Sequence, residues 1–102
     1  TSAHMREALD ILTAARGVGE DLYHLISEVH IEAGRDIVLY TAESGVPVLF
    51  GHGDVALKLV MFDEFWKQIV RQRGAAELTS VDLRYADQVV VRWQTGDDAV
   101  VQ

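Results

Sequence analysis

The stretch that constrains this chain most is Val81–Trp93, which reads Val-Asp-Leu-Arg-Tyr-Ala-Asp-Gln-Val-Val-Val-Arg-Trp. Val81, Leu83 and Tyr85 alternate with Asp82 and Arg84; Val89, Val91 and Trp93 alternate with Val90 and Arg92. Alternation of this period marks strands with one buried face, so the stretch predicts a β-hairpin. A loop over Ala86–Gln88 sets Tyr85 opposite Val89, Leu83 opposite Val91 and Val81 opposite Trp93, all apolar and all on one face. The other face then carries Asp82 opposite Arg92 and Arg84 opposite Val90. A loop shorter by one residue pairs Val81 with Arg92 and mixes core with solvent, which selects against it. The favoured register asks a non-glycine residue, Gln88, to sit near the left-handed region at a cost of about 1 kcal/mol. Val89–Trp93 is expected to be an edge strand with a free row of backbone amides and carbonyls, and Arg92 is the only charge within it.

Around that hairpin the chain reads as a single α+β domain in the order α-β-β-β-α-β-β, a mainly antiparallel sheet with a long helix packed on one face. Thr1–Met5 looks like an expression scar and is set apart from the fold, residues 6–94 form the domain, and residues 95–102 are expected to be partly frayed. Arg6–Arg16 predicts a short helix with Leu9, Leu12, Ile11 and Ala15 on one side, ended by Gly17. Val18–His24 is ambiguous between a helical turn and a loop. From Leu25 the period changes: Leu25, Ser27, Val29 and Ile31 face one way, Ile26, Glu28, His30 and Glu32 the other. Ala33–Arg35 turns the chain into a second strand, Asp36–Ala42, whose Ile37-Val38-Leu39-Tyr40 is apolar on both faces and suits a central position. Ser44-Gly45 turns it again into Val46–Phe50, where Pro47 removes one amide from the ladder.

Asp54 is the expected N-cap of the long helix. Its apolar stripe is Leu59, Phe62, Trp66, Ile69 and Val70, widened by Val55, Met61 and Phe65. Asp63 and Lys67 pair on the wet side, and Gly74 stops the helix. Burial of Phe62, Phe65 and Trp66 against the sheet contributes roughly 2–3 kcal/mol each before entropy is counted.

The residues resemble a known family. Ile26-Ser27-Glu28-Val29, Val48-Leu49-Phe50-Gly51, Lys58-Leu59 and above all Val81-Asp82-Leu83-Arg84-Tyr85 followed by Val89-Val90-Val91-Arg92-Trp93 are similar to the C-terminal β domain of the bacterial division protein FtsQ (DivIB). The resemblance covers Leu9–Trp93 in the same element order. It implies a non-enzymatic scaffold of the divisome, lying outside the cytoplasmic membrane in a single-pass protein whose membrane helix and POTRA domain precede this region. It further implies partners of the FtsB/DivIC and FtsL type, bound in part by strand addition at the C-terminal edge of the sheet. The implied contact residues are Arg84, Tyr85, Gln88, Val89, Val90, Val91 and Arg92. Arg84 could grip a carboxylate in bidentate fashion, whereas the hairpin register buries Tyr85 and gives it a supporting role. Strand addition at an uncovered apolar edge has its own physical basis, because such an edge is otherwise blunted.

Other chemistry finds little support in the residues. The 102-residue chain has a formal charge of −7 and no cysteine, which argues against nucleic acid as a partner and removes thiol chemistry. No apolar run approaches the roughly 18 residues needed to span a bilayer. His24 and His30 would lie about 20 Å apart on one extended strand, and His52 is in a loop, so no metal set is expected. Gly51-His52-Gly53 lacks the pattern of a phosphate loop. Asp82, Glu28, Glu32 and Asp36 supply carboxylates without a spacing that pairs two of them, and no cofactor is implied. Two readings remain: a divisome interaction module, or a small α+β domain that binds a ligand or self-associates with a regulatory role.

Overall fold

Ile37–Thr41, apolar on both faces, is an interior strand, and the rest of the sheet is laid out on either side of it. The computed structural model describes residues 3–32 and 36–101. Its elements are α1 (Ala3–Val18), α2 (Glu20–Leu25), β1 (Ile26–Ile31), β2 (Ile37–Thr41), β3 (Pro47–Leu49), α3 (Val55–Gln72), β4 (Leu78–Asp82), β5 (Val89–Trp93) and β6 (Ala99–Val101). The strands form one sheet in chain order, β1-β2-β3-β4-β5-β6. Every ladder is antiparallel except β3–β4, which α3 joins as a crossover. The α+β class, the mainly antiparallel sheet and the placement of the long helix therefore stand, with a short helix α2 and a last strand β6 added to the expected order.

The first helix buries Ala8, Ile11 and Ala15, while Leu9 points to solvent. Of the expected face, Ile11 and Ala15 are buried and Leu12 is partly buried against the core, while Leu9 gives its place to Ala8. Gly17 does not end α1, which runs on to Val18. In β1 the expected alternation breaks at a bulge between Ile26 and Glu28, so Ile26 and Val29 turn inward rather than Leu25, Ser27, Val29 and Ile31 as a set. The turn expected at Ala33–Arg35 lies outside the described residues. Between β2 and β3, Ser44 and Gly45 take positive φ, and the Thr41 hydroxyl accepts the Val46 N–H at 2.9 Å, closing the turn. Pro47 is the first residue of β3, where the missing amide costs least.

Helix α3 buries Leu59, Phe62, Phe65, Trp66 and Ile69, but Val70 is exposed. These residues meet Ile37, Leu39, Val48, Val81, Val89 and Val91 from the sheet, with Ile11 and Leu22 from the other helices. Asp54 occupies the N-cap position yet makes no side-chain cap; it sits in the left-handed region and only its carbonyl accepts the Lys58 N–H at 2.9 Å. At the other end the Gly74 N–H reaches back to the Ile69 carbonyl at 2.8 Å with φ of 74°, a turn that a glycine makes without Cβ strain.

The hairpin keeps its faces but not its register. Val81 pairs with Val91, Asp82 with Val90 and Ser80 with Arg92, a shift of two residues from the expected set. An even shift leaves every side chain on its own face, so periodicity could not detect it. The cause is local: the Asp82 carboxylate accepts the Arg84 N–H at 2.9 Å, and the Leu83 N–H bonds the Leu49 carbonyl at 2.9 Å. The ladder therefore stops at Asp82 and the connection runs from Leu83 to Gln88. Asp87, not Gln88, takes the positive φ.

Candidate functional site

Two features differ from what the hairpin pattern predicts, and both lie at the C-terminal end of the sheet. First, β5 is not an edge. Residues 99–101, within the tail expected to be partly frayed, form β6 and pair with it: Val89 with Val101, Val90 with Val100 and Val91 with Ala99. The β5 valines are thus flanked by β4 and β6, and β6 is the outer strand among the described residues. A run of Ala-Val-Val after the Gly96 turn was the available signal, outweighed by the acidic residues before it.

Second, Tyr85 is exposed. The turn at Asp82–Arg84 takes the chain out of the strand period before Tyr85, leaving the residue 52% accessible instead of buried. It lines a shallow cleft with Leu57, Met61 and Gln88. Met61 also borders a groove of about 220 Å³ formed by Val60, Phe65, Val89 and Val101. Leu57, Val60, Tyr85 and Val101 are all exposed, so an apolar rim runs along α3, the hairpin and β6.

Arg84 is already engaged. Its Nε donates to Asp82 Oδ1 at 3.0 Å and a terminal nitrogen to Oδ2 at 2.8 Å, so the fork foreseen for a partner carboxylate is filled from within. Its aliphatic stem lies against Gly51, where a Cβ would come within 3.0 Å of Arg84 Cγ. Asp82 is only 3% accessible. Burial alone would raise its pKa, but the Arg84 side chain and backbone N–H together hold the carboxyl below the ordinary aspartate range. Arg92 is exposed opposite Ser80 and adds to the positive field at Asp82.

On the face away from the helices, the cross-strand row is His30, Val38, Leu49, Asp82, Val90 and Val100. The Asp82–Arg84 pair is its one charged element, set between Leu49 and Val90. The turn joining β5 to β6 is held separately. The Arg73 guanidinium stacks 3.9 Å from the Trp93 ring centroid and approaches Asp97 at 3.8 Å, while Thr95 bonds Asp97 at 2.9 Å. Trp93 therefore lies partly covered at the sheet's end, outside the deep core that Trp66 occupies.

Elsewhere, Lys58 clamps the β3–α3 connection by donating to the Phe50 and His52 carbonyls at 2.9 Å each. Burial lowers its pKa against the pull of Asp54 and Glu7. Glu7 ties α1 to the same connection through His52 Nδ1 at 2.8 Å and the Gly53 N–H at 2.9 Å. Of the three histidines weighed for a metal, His24 and His30 each face a glutamate of their own element, and no group of metal ligands converges among the described residues. A second groove, about 370 Å³ between α2 and α3, is lined on its α3 side by the Asp63–Lys67 pair, 3.0 Å apart. No helix among the described residues is long and apolar enough to cross a membrane.

Comparison with known proteins shows a family. The family model described as "Cell division protein FtsQ/DivIB, C-terminal" matches residues 1–84. The cell division protein FtsQ of Geotalea daltonii is 30% identical over 88 residues, covering 86% of this chain and 31% of that protein. The cell division protein FtsQ of Rhodothermus marinus is 31% identical over 86 residues, covering 80% of this chain and 32% of that protein. The chain thus spans about a third of the length of these curated relatives. The family match stops at Arg84, so Tyr85 and the β5–β6 ladder lie beyond it.

Proposed function

Because this chain belongs to the FtsQ/DivIB C-terminal family of cell-division proteins, we propose that it is a non-enzymatic, extracytoplasmic interaction module of the bacterial division machinery. Its partners are division proteins of the FtsB/DivIC and FtsL type, bound by strand addition at the C-terminal end of the sheet. The parent protein is anchored by a membrane helix upstream.

The observation that carries this reading is the apolar rim at that end. Val100 is 56% and Val101 37% accessible on the outer strand, with Tyr85, Leu57 and Val60 exposed beside it. A sheet edge with unpaired backbone groups and apolar neighbours is a template for another strand, and main-chain pairing with side chains set in an adjoining groove is a recurring mode of peptide recognition. Tyr85 serves here as a contact, since aromatic residues that present a flat apolar face and a polar tip are common anchors. Arg84 acts through Asp82 to hold the turn that presents Tyr85, and Gln88–Arg92 supply the ladder behind β6.

The test is titration with a synthetic peptide from the FtsB/DivIC-type protein of the same genome. Saturable binding is expected, with a loss of tenfold or more on Tyr85→Ala combined with Val60→Asp, both of which leave the core untouched. A proline at Val90, the obvious probe of an edge strand, is unsuitable, because Val90 is paired on both sides within the molecule. Peptide binding that is indifferent to the rim variants would remove the reading.

A further inference from the structure

We propose that β6 is a displaceable, tethered cover for β5, and that the partner strand takes the β5 ladder after β6 has peeled away. This rests on partner addition at this end of the sheet and specifies how it occurs. Three observations point to it.

The cover is lightly held. Strand β6 spans Ala99–Val101, all three residues are exposed, and it pairs only with Val89–Val91 of the longer β5. Segments with few buried apolar contacts open at the low end of the local stability scale. The strand beneath is the opposite: Val89 and Val91 are buried in the core and fix the ladder rigidly.

The tether is firm where the strand is not. Arg73, stacked on Trp93 and close to Asp97, secures the turn, and Gly96 and Asp98 close it through bonds to Trp93 and Gly96 carbonyls at 3.0 and 2.9 Å. Opening of β6 would therefore hinge after Asp97 and leave β5 in place.

The exchange gains buried surface. A partner strand on β5 takes the ladder of Val89–Val91 up to the retained turn, and its inward side chains replace Val101 beside Val60, Met61 and Phe65. Addition outside β6 would instead rest on a strand whose three residues are all exposed. An internal strand that competes with a ligand reduces apparent affinity by the fraction of molecules that are open.

Val90 and Val100 are cross-strand partners in a chain without cysteine, so Val90→Cys with Val100→Cys gives a lock with no competing thiol. Titration of the oxidised full chain with the same FtsB/DivIC-type peptide is expected to show at least tenfold weaker binding, restored by reductant. Replacing Ala99→Gly, Val100→Ser and Val101→Gly, which weakens β6 without touching β5, should tighten binding on the order of tenfold. Equal binding by oxidised and reduced protein would overturn displacement while leaving partner addition intact, and so would weaker binding by the β6-weakened chain. No binding by any form, the unmodified chain included, would overturn the proposed function itself and this inference with it.

Discussion

At the residue scale, Asp82 and Arg84 carry more of the molecule than their two positions suggest. The carboxylate ends the β4 ladder, orders the turn and receives the guanidinium across both oxygens. Removing Arg84 leaves a buried carboxylate with its backbone N–H partner alone. Arg84→Ala is expected to cost roughly 1–3 kcal/mol in urea titration, less than a fully buried pair because solvent reaches the guanidinium. Arg84→Lys should recover only part of this, since a lysine cannot reproduce the planar fork. The pH dependence has a definite sign. Asp82 has a folded-state pKa below its unfolded one, so its contribution is complete above about pH 4 and is lost as pH falls through the folded value. Asp82→Asn should flatten the acid limb of a stability–pH curve. Gly51 belongs to the same unit: φ of 69° and the Arg84 stem in contact make Gly51→Ala unfavourable by about 1–2 kcal/mol. A measured loss below about 0.3 kcal/mol would show that the stem moves aside freely.

At the scale of elements, α3 is the part whose sequence and structure agree most closely. Its apolar stripe recurs at helical spacing, and of the residues expected in that stripe only Val70 is exposed. Trp66 sits in the core beside Phe62, with ring centroids 5.7 Å apart. Trp66→Ala is expected to cost roughly 3–5 kcal/mol in denaturant titration. A loss under about 1 kcal/mol would place the indole outside the core. The strands depart further from their sequence pattern. A bulge at Ile26–Glu28 and an Asx turn at Asp82 each reset the pattern by local hydrogen bonding, which the polar–apolar alternation does not encode. Strand β6 is the extreme case: a run of three apolar residues is too short to show a period, and its pairing depends on a neighbour already in place.

At the scale of the whole molecule, function is expected to be concentrated at one end. The helices cover one face of the sheet, and the apolar rim formed by Leu57, Val60, Tyr85 and Val101 gathers where α3, the hairpin and β6 meet. Leu57→Arg should abolish peptide binding while leaving the urea midpoint within about 0.5 kcal/mol of the parent. The exposed Leu9 on α1 is the matched control, because it lines a different groove with Leu12 and Tyr23. Leu9→Arg should change neither quantity. Loss of binding in both variants would indicate a broad, non-specific surface instead of a site.

Read alone, the residues determine the α+β class, the interior position of Ile37–Thr41, the buried stripe of α3 and which face of the hairpin points inward. Each follows from the period of the apolar residues, a property of the chain that survives any shift by two. What only the tertiary structure decided is which strands end the sheet, which register the hairpin takes, and where Tyr85 points. Those outcomes turn on single hydrogen bonds at Asp82 and on a neighbouring ladder that β6 can join, and such bonds form between groups that every backbone carries, whatever its side chains spell.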